Sequence, residues 1–234
     1  MIDALTPDEW AAVALSLKVS LWATALSLPF GIAAGWLLSR RRFVGWQVVN
    51  ALIHLPLVLP PVVTGYLLLL AFGRRGPVGR LLEEVFGVVL AFRWTGAVLA
   101  AAVMAFPLMV RAIRLGFDAV DRDLEQAAAT LGARPVMVFL TVTLPLILPG
   151  LIAGAVLAFA KAVGEFGATI TFVANIPGET QTMPTAIFAL LQVPGQDGAA
   201  LRLVAVSLVI AMGALVASEL LARSVQRRIG VGDA

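Results

Sequence analysis

The sequence predicts an all-α integral membrane protein with about five transmembrane helices, N-terminus outside and C-terminus inside. Three observations carry this. Of 234 residues, 60% are apolar and 13% charged, with a mean hydropathy of +0.97. An ordinary soluble domain has about 45–50% apolar and about 25% charged residues, so this chain cannot cover a water-facing surface. Long apolar runs recur, each near the roughly 20 residues that cross a hydrocarbon core of about 30 Å. Arginines gather at alternate ends of those runs. The same composition excludes disorder. With no cysteine and a single histidine, His54, thiolate and imidazole metal cages are excluded. No metal site is expected.

Taken in order, the spans are about 14–38 (interrupted by Lys18), 47–72 (carrying His54 and Pro56, Pro60 and Pro61), 95–117 (ending on Arg111 and Arg114), 146–172 (containing Lys161 and Glu165) and 203–222 (with Glu219). Residues 1–234 read as one transmembrane domain. Two stretches, Val85 to Phe92 and Met183 to Val193, are too short to cross. They read as interfacial or re-entrant pieces, which need protein or water around them at membrane depth.

Orientation follows from Lys and Arg placement. With the N-terminus outside, the inner side holds Arg40, Arg41, Arg42, Arg111, Arg114, Arg122, Arg134, Arg223, Arg227 and Arg228. The outer loops hold only Arg74, Arg75, Arg80, Arg93 and Arg202. A cleaved signal peptide would want basic residues before a short apolar stretch; here Asp3, Asp8 and Glu9 precede a long one, which therefore stays as a membrane helix. Basic residues at span ends serve topology and meet anionic lipid, so the high isoelectric point does not imply nucleic-acid binding.

The inner segment 118–145 is the longest, and it reads as two short helices. The first, about Asp121 to Leu131, has Asp121 as N-cap and an Ala-rich body. Gly132 suits the left-handed position that ends a helix, and Pro135 the first turn of the next. The second helix climbs through Val136, Phe139 and Val142 to Leu144-Pro145, where the missing N–H should bend the chain towards the membrane. The knob between them is built of small residues that let another backbone approach. Asp118, Asp121, Asp123 and Glu125 make the first helix acidic, which disfavours an anionic lipid surface and favours docking to a protein.

Gln126-Ala127-Ala128, three residues, Gly132, nine residues, then Val142-x-Leu144-Pro145 resembles the Glu-Ala-Ala loop of permeases in binding-protein-dependent ABC importers. Gln126 stands where that family has Glu, with Glu125 one residue earlier, and Val142 stands where it has Ile. The stretches from His54 to Gly76, from Phe106 to Arg114 and from Gly164 to Thr180 look like the molybdate permeases of bacterial inner membranes. The resemblance covers nearly the whole chain. It implies the importer permease fold and a multi-pass inner-membrane location. It also implies a coupling role for Glu125, Gln126, Ala127, Ala128, Leu131, Gly132, Ala133, Leu144 and Pro145. The partners implied are a second copy of the chain, two cytoplasmic ATPases that carry the ATP and Mg, and an extracytoplasmic molybdate-binding protein. This chain itself would bind no cofactor.

A dianion bare in hydrocarbon would cost tens of kcal/mol, so its path must be hydrated, and two copies about a twofold axis can enclose one. Lys161 and Glu165 lie four apart, within ion-pair reach on a helix face. Each alone would cost about 2.5–3.5 kcal/mol at a helix centre. Two readings stand: they line the path, or they neutralise each other and lock the helix. Phe166, Gly167, Thr169 and Thr171 are candidates for a gate, although the threonines can equally bond back to the preceding turn. His54 reads as a hydrogen-bonded histidine. A secondary transporter would show repeated halves, and none is visible; a membrane enzyme has no H-E-x-x-H or phosphate-loop pattern to work with. With no such loop, the chain has no catalytic residue of its own.

Overall fold

The structure is a computed structural model describing residues 5–229, with side chains to position 221. Asp3 and the side chains of Arg223, Arg227 and Arg228 lie outside the described residues. Helix α1 spans Pro7–Arg40. Its start is a capping box: the Thr6 hydroxyl accepts from the Glu9 N–H, and the Glu9 carboxylate accepts from the Thr6 N–H at 2.7 Å. Such reciprocal bonds satisfy two of the N–H groups a helix start leaves unpaired. Pro7 follows at the first helical position, where no donor is needed.

Next come α2 (Trp46–Val58), α3 (Pro61–Phe72), α4 (Pro77–Phe86) and α5 (Trp94–Asp118). The second expected span, 47–72, is therefore not one continuous helix. It is two helices, and they meet at 115°. Pro60 and Pro61 supply the reason, because neither has an N–H to continue the α2 ladder and the ring of each restricts the residue before it. Val85 to Phe92 is the end of α4 and a loop, closed by Gly87 in the left-handed region.

The inner segment holds α6 (Arg122–Thr130) and α7 (Pro135–Val138). A π-helical turn (Phe139–Thr143) then leads into α8 (Leu144–Val163). Helix runs on from Pro135 to Val163, so the chain passes Leu144-Pro145 without leaving the helix. The wider turn, in which the Leu144 N–H reaches the Phe139 carbonyl, absorbs the donor that Pro145 lacks. The fourth span, expected to reach 172, stops at Val163. Gly164 breaks it, and a separate short helix, α9 (Gly167–Phe172), follows. Beyond it lie α10 (Met183–Leu190), in the stretch read as re-entrant, and α11 (Asp197–Ile229). Four described helices are long and apolar enough to cross a membrane, or five spans if α2 and α3 count as one.

Helix α5 is the centre, packed between α1 and α8. Glycines allow the close approach. A Cβ on Gly150 would sit 3.0 Å from the Gly116 Cα, and one on Gly35 2.9 Å from Ile113. Ala97, Ala100, Met109, Ile113 and Phe117 of α5 are wholly buried. At the end where α1 begins, Arg202 of α11 donates to Glu9 at 2.7 Å, and the Met183 N–H donates to Ser16 Oγ at 2.7 Å. These bonds tie α1 to α10 and α11.

Candidate functional site: an exposed coupling knob and two helix breaks

At the far end of the bundle, the Asp121 carboxylate accepts from the Asp123 N–H at 2.9 Å and so starts α6. Gly132 ends the turn with φ +87, a conformation that suits glycine because it has no Cβ to clash. The knob is presented as the sequence predicts. Gln126, Ala127 and Gly132 are exposed, Leu131 is 89% exposed, and Ala128 and Ala133 are half-buried.

Glu125 does something else. Its Oε1 accepts from the Arg40 guanidinium at 3.1 Å and from the Thr143 hydroxyl at 2.6 Å. It therefore faces inward, fastening α6 to the end of α1 and to the π-helical turn. Leu144 and Pro145 are half-buried at the start of α8, behind the knob. Val136, at the start of the second short helix, is 70% exposed. With Leu124, Leu131 and Met137, each at least half exposed, it gives the knob an apolar rim of the kind that marks a protein contact. Sequence reading missed this rim; the signal available was apolar residues on an otherwise acidic hairpin.

Arg114, expected to reach lipid, instead pairs with Asp118 at 3.5 Å and lies over the Trp46 ring at 5.2 Å. Arg111 is exposed. His54 Nδ1 lies 2.8 Å from the Asn50 carbonyl oxygen, the local bond expected of it.

The second feature lies at the far end of α8. Gly150 meets Gly116, and Gly154 meets Met109 and Ala112. Further along, Ala158 clusters with Ala105 and Met109, and Ala162 with Ala101 and Met104. Helix α8 thus runs antiparallel to α5 and stops beside Ala101 and Met104. There the chain breaks. Lys161 Nζ donates to Glu165 Oε2 at 2.8 Å, while Glu165 Oε1 accepts from the Ala168 N–H at 3.0 Å. The Glu165 side chain is 2% exposed and the Lys161 side chain 31%. One carboxylate therefore neutralises the lysine and also caps α9.

The start of α9 abuts the start of α3: a Cβ on Gly167 would fall 2.6 Å from the Pro61 Cβ, and one on Gly65 2.6 Å from the Ala168 carbonyl oxygen. The break of one span thus rests on the break of another. Irregular backbone at membrane depth is tolerated where protein or a water-filled cavity surrounds it.

The other path candidates divide. Phe166 is half-buried against Phe188, ring centroids 5.1 Å apart. Thr171 bonds back to the Gly167 carbonyl at 2.9 Å, and Thr169 is 2% exposed among core side chains. Thr64 of α3, not foreseen, has a buried hydroxyl with no partner, next to Gly65 at this junction. A buried unpaired hydroxyl calls for water or an ion.

The family model for the inner membrane component of binding-protein-dependent transport systems matches residues 27–231. This chain belongs to that family. It is 60% identical over 226 residues to the molybdenum transport system permease protein ModB of Escherichia coli (strain K12), covering 97% of this chain and 99% of that one. To the ModB protein of Haemophilus influenzae it is 51% identical over 225 residues, covering 96% and 98%. Among solved structures, a bacterial ABC transporter involved in the import of the acidic polysaccharide alginate matches with a TM-score of 0.74 at 18% identity, covering 94% of this chain and 80% of that one. That likeness establishes the shared fold. The chain is a multi-pass inner-membrane transport component, a permease.

Proposed function

We propose that the chain is the permease subunit of an ATP-driven importer of molybdate, working by alternating access. Its partners would be a second copy of itself, two cytoplasmic ABC ATPases holding ATP and Mg, and an extracytoplasmic molybdate-binding protein. The N-terminus lies outside. The observation that carries the reading is high identity to molybdenum permeases along almost the full chain, joined to an exposed knob braced by Glu125.

The mechanics follow from the bracing. A load on Gln126, Ala127, Leu131 and Gly132 passes through Glu125 to Arg40 of α1 and Thr143 ahead of α8. Through α8 it reaches the break at Gly164. Two spans meet there through Pro61 and Gly167, so a small tilt of α8 separates or closes their short helices. The hydrated path lies between the two copies at this depth. Lys161, partly exposed, lends positive potential to the dianion, while its ion pair with Glu165 keeps the attraction weak enough for release.

Tungstate or sulfate would satisfy the same charge and shape. A secondary transporter would need no knob. The deciding experiment reconstitutes the chain and its ATPase in liposomes, binding protein outside. Radiolabelled molybdate enters only with ATP inside; uptake by the chain alone would refute the reading.

A further inference from the structure

Between α1, α2 and the outer half of α5 lies an apolar slot of about 880 Å³, bounded by Trp22, Phe30, Leu52, Pro56, Trp94 and Ala102. Ser27 and Thr95 are its polar side chains. At the mouth formed by Trp94, the Lys18 ammonium sits 3.7 Å from the centre of the Trp94 ring. Arg93, the residue before Trp94, is exposed, as is Lys18. Among the described residues neither cation has a carboxylate within ion-pair distance.

A lysine on an apolar helix flank is costly without a counter-ion. The ring face attracts one side of the ammonium but supplies no negative charge. Two unpaired cations thus flank an opening whose interior is hydrocarbon-like, with Trp94, the first residue of α5, placed as aromatic side chains are at a membrane–water boundary. A helix of a second copy would fill the slot and leave the cations bare. A free anion would answer the cations and leave the slot empty.

We propose that the slot binds one anionic phospholipid, its phosphate against Lys18 and Arg93 and its acyl chains between α1, α2 and α5. The lipid belongs to the leaflet at the end where α1 begins, and it packs behind α2. The site is independent of the ion transported.

The test uses the complete permease–ATPase complex from nanodiscs of equal phosphatidylglycerol and phosphatidylcholine, with bound lipid counted by native mass spectrometry. Phosphatidylglycerol is retained over phosphatidylcholine in the unmodified complex. Lys18→Gln and Arg93→Gln each lower its retention roughly fivefold, the worth of one basic residue at a lipid surface. Ala102→Phe fills the slot and lowers both lipids together; should that variant fail to assemble, the charge variants decide alone. Equal retention of the two lipids, or charge variants that retain as much as the unmodified complex, overturns the proposal. So does a photocrosslinker at Leu26 that labels a second copy of the chain instead of phospholipid.

Discussion

Glu165 accepts from the Lys161 ammonium with one oxygen and from the Ala168 N–H with the other. Reversing the pair (Lys161→Glu with Glu165→Lys) therefore cannot restore the native arrangement, since a lysine has no acceptor for the amide. Glu165→Gln keeps an acceptor and should retain more transport than Glu165→Leu, which abandons the cap and strands Lys161. A lost bond to a charged group is worth about 1.5–3 kcal/mol, which melting midpoints of the two purified variants will resolve. Ala174, just past α9, has φ +72. Left-handed backbone costs a non-glycine residue roughly 1–2 kcal/mol, so Ala174→Gly should raise the melting midpoint. The i,i+4 spacing of Lys161 and Glu165 was legible in the sequence, although Glu165 lies beyond the helix. The second bond was not, because it depends on where the chain resumes as α9.

The knob separates two kinds of element-level substitution. A Cβ on Gly132 would meet nothing within 4 Å. Gly132→Ala should therefore cost only backbone strain and keep most uptake, whereas Gly132→Arg places bulk on the docking face and should abolish uptake with insertion intact. Immunoblots of the membrane fraction beside uptake assays distinguish the two. The brace behaves differently: Arg40→Gln or Thr143→Val loosens α6 from its supports while leaving its outer surface unchanged. Both should preserve assembly and ATP hydrolysis but raise the ATP consumed per ion imported. Equal ratios in variant and parent would show that Glu125 transmits no load. The two short helices, their Asp121 cap and their Gly132 stop were legible because each rests on a local rule. The inward turn of Glu125 was hidden, because Arg40 lies 85 residues away in sequence.

At the scale of the assembly, the proposed function places the hydrated path between two copies. Equal co-expression of the parent chain and the Gly132→Arg chain should leave about one quarter of full uptake if each assembly holds two permeases mixed at random. About one half would indicate that each permease works alone. The membrane class and the existence of the long spans were legible from hydropathy, a property of each segment separately. The depth at which spans two and four break was not, since that depth is set by register against α5.

By itself, then, the amino-acid sequence determined the membrane class, the long helices, the punctuation of the inner hairpin and the family resemblance. All are written in composition, in local backbone chemistry or in short motifs. The tertiary structure alone decided that Pro61 rests on Gly167, that α8 stops beside Ala101 and Met104 of α5, and that Glu125 bonds to Arg40 rather than facing outward. The physical reason is the range of the interactions: caps and prolines act within a turn or two, whereas helix registry depends on glycine contacts between segments far apart in the chain.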